Sequence, residues 1–141
     1  MEATLCVEST LEHDGDGLAR FAVSLTNEAF SARISTWGQA NEHLQLASAL
    51  QDFLAVPNTR VTYKFGKTGT CELELWRLDS LGHIGIWATF AADWPVSSSD
   101  CHETARLFMR SDPAAIDTFV SELLGFVAGS RNRACLSGLG P

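Results

Sequence analysis

Apolar and polar residues alternate along much of this chain, and the period changes at two places. Leu5 and Val7, then Phe21, Val23 and Leu25, then Phe30, Ala32 and Ile34 recur every second residue, the spacing of strands with one buried face. Asp14-Gly15-Asp16-Gly17 and Asn27-Glu28 supply turn chemistry between them. The period then lengthens. Leu46, Ala47, Leu50, Phe53 and Leu54 follow Asn41 as a candidate N-cap and stop before Pro57, which predicts a helix. A second helix is predicted by Asp112 as N-cap, Pro113 in the first turn and the stripe Ile116, Phe119, Val120, Leu123, Leu124 and Val127, with Gly129 closing it.

Between the helices, four more strands are predicted. Their inward sets are Val61, Tyr63 and Phe65; Cys71, Leu73 and Leu75; Ile84, Ile86, Ala88 and Phe90; and Ala105, Leu107 and Met109. Matching inward to inward puts hairpin loops at 66–70 and 79–82. That register sets Lys64 opposite Glu72, Thr62 opposite Glu74, Glu74 near Trp87 and Trp76 beside Gly85 on the outward face, with Arg106 and Phe108 pointing the same way. The fold class expected is α+β, a mainly antiparallel sheet of six to seven strands with two helices packed on it, in the order βββ-α-ββββ-α. Residues 1–129 form a single domain, and 130–141, containing Gly and Ser, a flexible C-terminal tail.

The register also disposes of the one motif that suggests a nucleotide. Phe65-Gly66-Lys67-Thr68-Gly69-Thr70 carries Gly-Lys-Thr, but a phosphate-binding loop needs an earlier glycine where Val61 stands, and a helix afterwards. Here a strand follows, so the segment is a hairpin loop. Asp14-Gly15-Asp16-Gly17 begins like a calcium loop, yet Leu18 falls at the next ligand position. Cys101-His102-Glu103 are adjacent strand residues that point to opposite faces, which does not suit chelation of one metal. The run Ser97-Ser98-Ser99 lacks a nucleophile elbow. No catalytic residue, metal site or cofactor is expected.

A chain of 141 residues with 45% hydrophobic residues can bury a core. Its net charge of −7 disfavours nucleic acid and anionic membranes as partners and favours a basic protein. The N-terminus lacks a signal-peptide pattern and no stretch is long enough to span a bilayer, so a cytoplasmic protein is expected, with Cys6, Cys71, Cys101 and Cys135 reduced.

The candidate partner-binding residues are those of the outward face: Glu72, Glu74, Trp76, His83, Trp87, Arg106 and Phe108. Trp and Arg are enriched at binding hot spots. Two arrangements fit that face, an open binding surface or one covered by the second helix or the N-terminal strands.

The segments "LASALQDFLAVPNTRVTYKF", "CELELWRLDSLGHIGIWATF" and "DPAAIDTFVSELLGF", in this order of elements, resemble small bacterial proteins of the WapI-like immunity group over about residues 20–128. The resemblance implies a cytoplasmic antidote that binds and blocks a cognate toxin domain, and it carries no catalytic residue. Two alternatives use the same region. One is a small-molecule binder or enzyme with a pocket in which Glu74, His83 and Arg106 converge; the other is a homodimer joined through the outward face.

Overall fold

A computed structural model describes residues 2–66, 69–93 and 102–141, so Lys67, Thr68, the Ser97–Ser99 run and Cys101 lie outside the described residues. The elements are β1 (Glu2–Ser9), β2 (Leu18–Thr26), β3 (Ser31–Gln39), α1 (Glu42–Ala55), β4 (Arg60–Phe65), β5 (Gly69–Arg77), β6 (Ile84–Asp93), β7 (His102–Ser111), α2 (Pro113–Leu124) and β8 (Asn132–Leu139). The fold is α+β. All eight strands join one antiparallel sheet in the order β3-β2-β1-β8-β7-β6-β5-β4.

The strand that raises the number beyond six or seven is β8, in the segment expected to be a flexible tail. Its inward Ala134 and Leu136 are buried, alternating with Arg133, Cys135 and Ser137. It pairs with β1 from Glu2↔Leu139 through Ser9↔Asn132. Without it, β1 would present an apolar strand with unpaired N–H and C=O groups at an open edge. The chain therefore returns from α2 to the middle of the sheet. On its other side the register of β8 with β7 is, among the described residues, the single pair Arg110↔Leu139, where a Cβ on Gly138 would run into the Arg110 carbonyl oxygen.

This sparse pairing divides the sheet into two halves, and the sheet curls until its ends approach. Phe21 of β2 meets Phe65 of β4 edge to face, with ring centroids 5.0 Å apart, although five strands separate them in sheet order. The concave side holds the core. Leu5, Val7, Phe21, Val23, Leu25, Cys71, Leu73, Leu75, Ile84, Ile86, Ala88, Phe90, Leu107 and Met109 are buried there against Leu46, Leu50 and Phe53 of α1 and Ile116, Phe119 and Leu123 of α2. The hairpin registers are those expected, with Phe65↔Cys71 and Arg77↔Ile84 flanking the two loops.

The helix ends differ in detail. The Asp112 carboxylate accepts from the Ala115 N–H at 2.9 Å, capping α2 behind Pro113. Asn41 precedes α1 without a side-chain cap bond, its side chain accepting instead from the Gln45 amide. Helix α2 stops at Leu124 rather than before Gly129, and Val127 is exposed. The cause is Asn132: its Oδ1 accepts from the Val127 N–H at 2.8 Å, and its Nδ2 donates to the carbonyls of Val127 and Ser9, both at 2.9 Å. Those bonds bind the segment after α2 to β1 and supersede further helical turns.

The expectation that the cysteines are reduced fails for two of the four. Cys6 and Cys135 face each other in the β1–β8 register, with Cα atoms 4.2 Å apart, and form a disulfide. Each sits in a different end of the chain, 129 residues apart, so pattern alone did not pair them. Cys71 is a buried free thiol. Among the described residues no helix is long and apolar enough to cross a membrane.

Candidate functional site

The convex face of β4–β7 carries three successive cross-strand rows. Arg60, Trp76, Gly85 and Arg110 are opposite one another; then Thr62, Glu74, Trp87 and Phe108; then Lys64, Glu72, Thr89 and Arg106. The alternation that buries Leu75 and Ile86 on the other face fixes these side chains outward.

Within the rows the aromatic side chains meet. Phe108 lies between the two indoles, its ring centroid 5.1 Å from that of Trp87 and 6.1 Å from that of Trp76. Each indole also carries a guanidinium. Arg106 Cζ is 4.2 Å from the Trp87 centroid, and Arg60 Cζ is 5.1 Å from that of Trp76. Such contacts contribute about 0.5–1 kcal/mol each at exposed sites. Glu74 lies between the two cations: one carboxylate oxygen pairs with Arg60, and the other with Arg106 at 3.5 Å. Paired with both cations, this carboxylate orients the arginines over the rings.

Neither helix lies on this face, since the apolar faces of both pack into the core on the concave side. Among the described residues of the N-terminal half, those that line it, Asn27 and Phe30, belong to the β2–β3 turn. Asn27 Oδ1 accepts from the backbone N–H groups of Ala29 and Phe30, and its Nδ2 donates to the Phe108 carbonyl at 3.4 Å, clasping the turn to β7. The clasp sets Phe30 at the lip of the face with 71% of its surface exposed. Phe30 was expected to point inward with Ala32 and Ile34; β3 begins only at Ser31, and the turn directs the ring outward.

Trp76, Trp87, Phe108, Arg106, Leu78 and Phe30 thus line an open groove of about 440 Å³. Five of the sequence candidates, Glu74, Trp76, Trp87, Arg106 and Phe108, come together. Glu72 shares the face and the row of Arg106 but stands two strands from it, opposite Lys64 and Thr89, and does not line the groove. His83 belongs to the β5–β6 turn, where its Nδ1 lies 2.6 Å from Asp79 Oδ2 and helps hold the Asp79 carboxyl below its ordinary range. The expected convergence of Glu74, His83 and Arg106 in one pocket is absent from this groove. Arg60, Asn27, Phe30 and Leu78 were missed. Arg60 was legible, since the 66–70 loop places it opposite Trp76.

On the concave side, a second polar group is part of the core. Tyr63 donates to Glu42 Oε2 at 2.6 Å, and burial followed by the Glu42 carboxylate raises the phenol far above its usual range. Next to Glu42, His43 is buried, stacks on Phe126 with centroids 5.3 Å apart and leaves Nδ1 without a partner.

Comparison of the chain with family models, curated proteins and solved structures finds no match.

Proposed function

We propose that this is a cytoplasmic binding protein that holds a basic protein domain against its convex aromatic groove, in the manner of an immunity-type inhibitor of a toxin domain. The observation that carries the reading is the cluster of Trp76, Trp87 and Phe108 with Arg106 and Arg60 stacked on the indoles and Glu74 holding both arginines. A solvated sheet face does not need this cluster, and it has the composition of an interface hot spot. Stacked arginines are already ordered, so less side-chain freedom is lost on binding. The net charge of −7 favours a basic partner by speeding encounter. The resemblance in sequence pattern to the WapI-like immunity group supports the same class of partner. Neither Cys6 nor Cys135 lines the groove, so the reading does not depend on their bond in a reducing cytoplasm.

Three baits test it in parallel, the wild-type chain, Lys64→Ala and Trp87→Ala, each exposed to lysate of the source organism and eluted with salt. The expected result is a basic protein held by the wild type and by Lys64→Ala but not by Trp87→Ala, which after purification binds one to one and loses its own activity when bound. Identical captures on wild type and Trp87→Ala overturn the reading. Light scattering on the purified chain separates self-association: a dimer that Trp87→Ala dissociates would assign the groove to a second copy instead.

A further inference from the structure

The geometry points to a second site, independent of the groove, on the convex face of β1–β3: a hollow that binds a small polyanion through Arg20, Arg33 and Arg131. Three features carry it. The first is shape. Glu8, Ala22 and Ser35 form one outward cross-strand row. Arg20 stands two residues from Ala22 on β2, and Arg33 two residues from Ser35 on β3. Because the strands are antiparallel, with Arg20 opposite Trp37 and Arg33 opposite Ser24, the two arginines rise on opposite sides of that row, each about 7 Å along its strand. Small side chains make the floor and long cationic ones the walls. Arg131, from the connection leading into β8, closes an end, and the hollow measures about 430 Å³.

The second feature is charge. Glu8 is the one carboxylate among the residues lining the hollow, and it pairs at 3.2 Å with Arg133, which does not line it. Arg20 has the Trp37 ring as its neighbour, with Cζ 6.0 Å from the centroid. None of the three lining arginines pairs with a described carboxylate. Among the described residues, three guanidiniums thus surround one hollow with Glu8, already engaged by Arg133, as the one carboxylate lining it, and an anion seated among them relieves their repulsion.

The third feature is the match to ligand chemistry. Guanidinium forks fit the paired oxygens of phosphoryl and carboxylate groups. Three of them around a short hollow suit a compact ligand with two or three negative charges. A nucleic-acid strand needs a continuous basic track, which the chain's overall acidity opposes. The shared chemistry is therefore a cluster of oxyanions, either a phosphorylated small molecule or a polycarboxylate.

Titration calorimetry of the full chain at low ionic strength, with pyrophosphate in one arm and citrate in the other, tests the site and separates the two sources. Saturable one-site binding is expected for at least one probe, weakened about tenfold or more by Arg20→Gln or Arg33→Gln and unchanged by Arg106→Gln, which lies on the other half of the sheet. The Nε–Hε resonances of Arg20 and Arg33 in the unmutated protein provide a readout independent of how the variants fold, and should shift with the same saturation curve. No saturable binding of either probe, or equal binding to the Arg20→Gln/Arg33→Gln double variant, overturns the proposal. The groove variant Trp87→Ala should bind the probe normally, so failure of one site leaves the other standing.

Discussion

The indole of Trp76 lies across the backbone of Gly85. A Cβ built on that glycine would stand 2.8 Å from Trp76 Cζ2, 2.9 Å from Cε2 and 3.0 Å from Leu78 Cδ2. Gly85 is the opposite member of the Trp76 row, and its missing side chain lets the ring lie flat, where Phe108 and Arg60 reach it. The glycine thus acts on the groove through its emptiness.

Gly85→Ala should therefore tilt Trp76 off the sheet and separate it from Phe108. A loss of about 1–3 kcal/mol in urea unfolding is expected, as for overpacking a close contact. Partner binding should fall with it, whereas Thr62→Ala on the same face should leave both nearly unchanged. An alanine variant of wild-type stability would mean that the indole has room to move without cost.

The final strand offers a sharper test of the fold. Leu136 is buried on β8, opposite Leu5 of β1. Leu136→Ala should cost about 2–5 kcal/mol, the range for emptying a core leucine site. Deletion of residues 130–141 should abolish cooperative thermal unfolding, because it bares β1 along its length. A truncated chain that melts like the full one would return the segment to the role of a tail.

That strand marks the boundary of what pattern could show. Inward and outward sets of β4–β6 were legible because their two hairpins have short loops, so alternation on one strand fixes its neighbour, and alternation within β7 gave its faces. The same local logic found Glu74, Trp76, Trp87, Arg106 and Phe108 on one surface. Three facts were not legible. Arg133 to Leu139 alternates correctly, but its Gly and Ser content reads as loop until β1 is known to need a partner. Phe30 has the parity of an inward residue, and only the Asn27 clasp to β7 turns it into the groove. His83, though beside the right strand, is drawn away by Asp79, four residues earlier in the same turn.

The Cys6–Cys135 bond joins β1 and β8, the third and fourth strands in sheet order. Alkylation of the denatured, unreduced protein should modify Cys71 and leave Cys6 and Cys135 unmodified. Native labelling should spare Cys71, whose thiol burial and the neighbouring Glu72 push up to about 12. Cys135→Ser should lower unfolding stability by about 2–4 kcal/mol, since the bridge closes a long loop in the unfolded chain. Modification of Cys6 and Cys135 without reductant would show the bond unformed, and the variant would then match wild type.

His43 sets the expected pH dependence. Burial holds the imidazole below its ordinary value of 6.5, and no charged partner offsets it: the rings of Phe21 and Phe126 flank it, and Nδ1 finds no hydrogen bond. Above pH 6.5 the group is neutral in both folded and unfolded chains and contributes no slope. As the pH falls below 6.5, the unfolded chain takes up a proton that the folded chain resists, so stability declines until His43 protonates in the folded state as well. The Asp79 carboxyl, depressed chiefly by its hydrogen bond to His83, acts in a separate window below its ordinary 3.8, where stability is lost as pH falls through its folded value. His43→Phe keeps a flat ring on Phe126 and removes the unpaired nitrogen. Chemical denaturation from pH 7.5 to 4.5 should show a falling midpoint for wild type and a flatter profile for His43→Phe, with the variant more stable at neutral pH by about 1–3 kcal/mol. Parallel profiles would mean that water or local opening reaches His43, and that its burial imposes no penalty on the proton.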